Sequence, residues 1–184
     1  KVATGKDFDD RGHVSAKAVA LDETRARALA DGLDGAEFRV RSVEEKPYRS
    51  SPKPPFMTST LQQEGGRKLR RSSSQVMRVA QGLYERGFIT YMRTDNVVLS
   101  DEAMQATRAA VTSEYGANYL NAAPKQYSSK VKNAQEAHEA IRPTTPYRSP
   151  QQVSADLNSQ ELALYRLIWQ RTLASQMADA TGVT

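Results

Sequence analysis

Between Gly87 and Asn96 the chain reads GFITYMRTDN, and three of these residues could do chemistry together. Tyr91, Arg93 and Asp95 are spaced two apart, so on extended backbone they share a face. A phenol, with a pKa of about 10, is a weak nucleophile at neutral pH, and a neighbouring cation favours its phenolate. A guanidinium two residues on supplies such a charge. Its fork also matches two oxygens of a phosphodiester and can offset charge in a transition state. Asp95 would then be a base or, preferably, the group that orients a partner. The plainer alternative is a half-buried strand whose tyrosine packs in a core, since tyrosine is a good strand former.

Two further groups could join that chemistry. QEAHEAIRP places His138 and Arg142 four residues apart, on one face if the segment is helical, and that pair suits a phosphate. A lone histidine on a short helix is otherwise usually structural. In PPFMTSTLQQE, Thr58, Ser59 and Thr60 stand where a helix begins. Capping is their ordinary role. The free N–H groups of a helix N-terminus also suit a phosphate, and the two roles are compatible.

The elements that would carry these residues are legible in part. The first 50 residues lean towards β-structure, with alternation in VSAKAVALD and EFRVRSVEEKPY and one helix, ETRARALADGL, started by Asp22. A proline-rich stretch, PYRSSPKPPF, reads as a linker or boundary. Capping boxes at Ser59/Gln62 and Thr60/Gln63 start a helix that Gly65–Gly66 should shorten or break. Ser72/Gln75 starts the next, with Val76, Val79, Ala80, Leu83 and Tyr84 on its apolar face and Gly87 at its end. The two helices in series resemble a helix-turn-helix. FITYM reads as a short strand and Ser100 to Gly116 as a helix. AQEAHEAI reads as a two-turn helix stopped by Pro143, and Asn158/Glu161 starts a long final helix. The fold class is therefore α+β: β-leaning residues over 1–50, then a mainly helical, tyrosine-bearing domain from residue 51.

Charge is unevenly placed. The chain carries a formal +5, yet residues 1–47 hold nine Lys/Arg against ten Asp/Glu, while Lys53 to Arg93 holds eight against two, a net of +6. Such a block favours a polyanion through counterion release. Cysteine is absent and histidine occurs twice, which excludes a disulfide framework and a thiolate zinc site and argues against a histidine metal centre. No apolar run reads as a membrane span or signal peptide, so no membrane partner and a cytoplasmic setting are expected. Lys1 in place of an initiator Met, and a strand-like TGVT at the end, read as a piece of a longer chain.

With PFMTSTLQQE, AQGLYERGFITYMRTD and KNAQEAHEAIRP in that order, the chain resembles the bacterial type IA DNA topoisomerases, the topoisomerase I group in particular. DFDDRG and LYRLIWQRTLASQMADA on the flanks fit the same family, so the resemblance spans essentially the whole chain. It implies a tyrosine nucleophile, Tyr91, that joins the 5′ phosphate of a cut DNA strand, lets another strand pass and reseals, relaxing negatively supercoiled DNA. It implies that Arg93 places the scissile phosphate and that His138 contacts DNA, with Asp95 expected to bond His138 and set its protonation. It implies part of an arch-like β domain over 1–50, the helical catalytic-tyrosine domain over 51–177, a return strand towards the arch over 178–184, and Mg²⁺ held by acids of a Toprim domain that is not in this chain. Single-stranded and supercoiled DNA and the enzyme's other domains are the partners implied. A nucleoid-associated monomer is expected, and the segment alone should bind DNA weakly and relax none. Two residues depart from the pattern: Asn96 where serine usually follows TD, and Gly65–Gly66 where relatives carry small helix formers.

Two rivals stand beside this reading. A non-catalytic helix-turn-helix-like DNA-binding module would use the helix pair and the basic block alone. A tyrosine recombinase would show several separated catalytic arginines, a histidine pair and a late tyrosine, an arrangement this sequence lacks.

Overall fold

A computed structural model describes residues 2–15, 17–128 and 139–184. They form two compact units, residues 1–45 and residues 46–184.

In the first unit Asp22 caps the helix α1 (Glu23–Leu33) by accepting the Arg25 N–H at 2.8 Å. The Asp9 carboxylate accepts the N–H groups of Arg11 and His13 at 2.9 and 2.8 Å and closes a tight turn. The β-structure expected here reduces to two isolated bridges, Val2 to Val19 and Phe8 to Val14. The alternating run after Gly35 forms no strand until Pro47, and Phe38 and Val40 stay 76% and 83% exposed. Alternation names a face for burial but does not supply a partner, and none pairs with this run among the described residues.

The second unit runs β1 (Pro47–Ser50), α2 (Thr58–Leu69), α3 (Ser73–Glu85), α4 (Asp101–Tyr115), α5 (Ser159–Ser175) and β2 (Ala180–Val183). The caps form as their spacing predicts. The Ser72 hydroxyl accepts the Gln75 N–H, that of Ser100 accepts the Ala103 N–H, and the Asn158 side chain accepts those of Gln160 and Glu161. Helix α5 is buried over most of its circumference, with Leu164, Tyr165, Ile168, Trp169 and Leu173 inside, and α2, α3 and α4 pack around it. A helix apolar on nearly every side has to be central.

Helix α2 differs from expectation twice. It starts at Thr58 with Met57 as N-cap, because the Thr60 hydroxyl accepts the Met57 N–H at 3.1 Å and so replaces the expected serine cap. It also runs unbroken through Gly65–Gly66. A Cβ on Gly65 would lie 2.6 Å from the Val76 Cγ2, so the glycine lets α2 and α3 approach closely, and packing offsets the propensity cost.

β1 and β2 pair antiparallel, with Pro47 opposite Val183 and Ser50 opposite Ala180. Beside them Asp179 is bound by Arg49 at 2.5 Å, by the Ser51 hydroxyl at 2.9 Å, and by the Lys125 ammonium. The Gln176 side chain bonds both backbone groups of Lys125, and the Tyr127 hydroxyl lies 3.1 and 3.0 Å from the carbonyls of Pro52 and Ser175. The loop 120–127 thus clasps both chain crossings into the helical body.

Candidate active site

Helix α3 ends in a Schellman motif. Gly87, at φ 73°, donates its N–H to the Tyr84 carbonyl at 2.9 Å, and Phe88 donates to Leu83 at 2.8 Å. Glycine takes this left-handed backbone without strain and turns the chain back along the helix. The residues that follow alternate sharply. Phe88, Ile89, Met92 and Thr94 are buried, Tyr91 and Asp95 are half-buried, and Arg93 is exposed. Arg93 therefore faces solvent, while Tyr91 and Asp95 lie at the boundary, with one flank of the Tyr91 ring against the core.

The segment is not a strand, however. Ile89 makes one isolated bridge to Pro143, and the ladder does not extend because the next donors are spent elsewhere: the Arg142 N–H on the Thr90 hydroxyl at 3.0 Å and the Phe88 N–H on the Leu83 carbonyl at 2.8 Å. Threonine hydroxyls take over. Thr90 donates its N–H to the Arg142 carbonyl at 2.9 Å and its hydroxyl to the Ala140 carbonyl at 2.8 Å. Thr94 donates its N–H to the Thr58 hydroxyl at 2.9 Å, and that hydroxyl lies 2.9 Å from the carbonyls of Met92 and Thr94. The backbone on either side of Tyr91 and Arg93 is thereby tied to the start of α2 and to residues 140–142.

The remaining candidates fall in different places. Thr58 spends its hydroxyl on this lacing and Thr60 on the cap, while Ser59 lies exposed in the first turn of α2. Arg142 is 8% exposed, donating to the Glu139 carboxylate at 2.5 Å and to the Pro143 carbonyl at 2.9 Å. Residues 139–143 are not helical, since Ile141 bridges to Phe56, so helical spacing does not place Arg142. His138 and most of the helix expected around it lie outside the described residues. Burial opposes ionisation of Glu139, but the hydrogen bonds from Arg142 and Ser100 outweigh it and lower its pKa. The Asn96 side chain accepts the Val98 N–H at 2.9 Å, a local turn role.

The basic block is partly spent inside the protein. Arg67 and Lys68 pair with Glu64, and Arg86 with Glu161. Arg70, Arg71, Arg78 and Arg93 are exposed. Among the described residues, no group of three or more His, Cys, Asp or Glu side chains could hold a metal ion, and no helix is long and apolar enough to cross a membrane.

Sequence reasoning missed Thr90, whose hydroxyl fastens the segment, and Tyr84, which it placed on the apolar face of α3. Tyr84 is 40% exposed and stands against Tyr91. The spacing of the two tyrosines across a helix-ending glycine was the available signal.

Comparison with known proteins shows the family. A family model described as DNA topoisomerase matches residues 3–184. DNA topoisomerase 1 of Mycolicibacterium smegmatis is 55% identical over 187 residues, covering all of this chain and 20% of that protein. That of Streptomyces coelicolor is 56% identical over 184 residues, covering 99% and 19%. The chain thus spans about a fifth of the length of these curated relatives. The solved structure of full-length topoisomerase I from Thermotoga maritima superposes with a TM-score of 0.65 at 34% identity, over 91% of this chain and 27% of that one. With a family match that runs almost from end to end and a shared fold, the chain belongs to the bacterial DNA topoisomerase I family.

Proposed function

We propose that Tyr91 is the nucleophile of a type IA DNA topoisomerase. The Tyr91 phenol oxygen bonds to the scissile phosphorus, and the 3′ oxygen leaves with a proton. The 5′ end remains as a phosphotyrosine, and attack by the 3′ hydroxyl later reverses the step. Arg93, exposed beside Tyr91, would grip the phosphate oxygens as negative charge gathers. Asp95 would orient His138. Strand passage between the two chemical steps would relax negatively supercoiled DNA in the bacterial cytoplasm, at the nucleoid.

The observation that carries this reading is the placement of Tyr91, Arg93 and Asp95 on the outer side of a segment whose inner side, Met92 and Thr94, is buried and laced to Thr58. The Mg²⁺ ligands are assigned to a Toprim domain of the full-length enzyme, as the family resemblance implies, and residues 1–184 alone should relax no DNA.

The test is to mix the full-length enzyme with labelled single-stranded DNA and Mg²⁺ and then denature. A covalent adduct that disappears in Tyr91→Phe is expected; an adduct that survives would reject the assignment. The rival, a non-catalytic DNA-binding module, draws support from the α2–α3 pair with Arg70, Arg71 and Arg78 exposed on it. It requires binding without any adduct.

A further inference from the structure

We propose that Tyr84 is a positioning residue for Tyr91, holding the phenol ring in its attack orientation through cleavage and religation. The proposal rests on the reading of Tyr91 as nucleophile.

The two rings meet edge to face, with centroids 5.3 Å apart and planes at 67°, an attractive arrangement for aromatic quadrupoles. Both partners are anchored. Tyr84 sits in the last turn of α3, and its carbonyl accepts the Gly87 N–H, so the same motif that turns the chain back also fixes Tyr84. Tyr91 is held at the backbone by the Thr90 hydrogen bonds on one side and by buried Met92 on the other. Backbone anchoring leaves two side-chain torsions of Tyr91 to be set by neighbours. The core takes one flank of the half-buried ring, and Tyr84 stands at another.

Exposure points the same way. The apolar periodicity of α3 assigns Tyr84 to the core, yet it is 40% exposed while Leu83 and Ala80 are fully buried. Its ring contributes little to the deep core, and its described aromatic partner is Tyr91.

The ring of Tyr91 is the same body before cleavage, as a phenol, and after it, as an aryl phosphate. A neighbour that orients the ring acts in both directions. Loss of Tyr84 should therefore slow cleavage and religation together and leave the ratio of cleaved to intact DNA unchanged. Misplacement of a reacting group by about 1 Å costs about 100-fold in rate, so a loss of about 10- to 100-fold is expected.

The test uses full-length enzyme and single-turnover adduct formation on labelled single-stranded DNA at saturating concentration. Tyr84→Leu keeps apolar cover and removes the ring; Tyr84→Phe keeps the ring and removes the hydroxyl. Tyr84→Leu should lose rate in both directions with unchanged Tm and DNA affinity, and Tyr84→Phe should match the parent. Wild-type rates in Tyr84→Leu would overturn the proposal. So would an equal defect in Tyr84→Phe, which would assign the role to the hydroxyl. A weakened affinity with an intact saturated rate would assign Tyr84 to nucleic-acid contact instead. Tyr91→Phe, run in parallel, separates the two ideas. If its adduct persists, the nucleophile assignment fails; if it vanishes while Tyr84→Leu is normal, only the positioning role fails.

Discussion

Thr58 and Thr94 are joined in both directions. The Thr58 N–H donates to the Thr94 carbonyl at 2.9 Å, the Thr94 N–H donates to the Thr58 hydroxyl at 2.9 Å, and that hydroxyl lies 2.9 Å from the same carbonyl. The first residue of α2 thus fixes the backbone just beyond Arg93. Thr58→Val keeps the shape, removes the oxygen and strands the N–H of buried Thr94. It should cost about 1–3 kcal/mol in urea unfolding. It should also slow adduct formation by about tenfold or more, because Arg93 loses its frame. Thr58→Ser should retain most of both.

Gly65 and Gly66 are neighbours with opposite expected behaviour. A Cβ at Gly65 meets Val76 at 2.6 Å, so Gly65→Ala should destabilise by about 1–3 kcal/mol, and Val76→Ala in the same chain should recover part of that loss. At Gly66 the nearest atom is 3.5 Å away, an ordinary contact, and Gly66→Ala should stabilise by about 0.5–1 kcal/mol. Denaturant midpoints of the three variants check the pair.

These cases show how far the sequence reaches. Ser72 with Gln75, Asn158 with Glu161, and Gly87 at a helix end are local devices, read correctly because each partner lies a few residues away. The continuity of α2 depends on the side chain of Val76 in another helix. The Gly87–Asn96 segment reads as a strand because alternation is local. What denies it a ladder is that the Phe88 N–H closes the end of α3 and the Arg142 N–H goes to the Thr90 hydroxyl, and what ties the segment down instead is a threonine 36 residues away. The outward set of Tyr91, Arg93 and Asp95 was legible; the reason they stay there was not.

Acid should loosen the clasp around Asp179. Hydrogen bonds from Lys125 and Ser51, with that from Arg49, outweigh desolvation and hold its pKa at about 2, below the ordinary 3.8. A carboxyl depressed in the folded state stabilises fully above its unfolded pKa and loses that contribution as pH falls through the folded one. Glu139 is shifted in the same direction. Tm should therefore fall as pH drops from about 4 towards about 2, and Asp179→Asn should lower Tm at neutral pH and flatten that acid limb. An unchanged acid limb in Asp179→Asn would remove Asp179 as its source.

Binding of single-stranded DNA should weaken with salt, and the exposed arginines should set the slope. Neutralising Arg70, Arg71 or Arg78 should each reduce the slope of log K against log[salt] by about 0.7 if it meets a phosphate. Arg67→Gln should change it less, because Glu64 already holds that guanidinium at 2.9 Å. Fluorescence anisotropy across a salt series measures the slopes, and a flat response in the parent chain would remove the block as a phosphate surface.

The pairing of Pro47 with Val183 and Ser50 with Ala180 also has a topological consequence. The polypeptide enters and leaves the helical body through one doorway, so Ser51 to Asp179 is a cassette hung on a two-stranded stem. Segments whose ends lie side by side tolerate excision, transplantation and permutation far better than segments threaded through a scaffold. The tyrosine that would hold the broken DNA end belongs wholly to that cassette. Asp179, held by Arg49, Ser51 and Lys125, is the rivet that fixes the cassette to its stem.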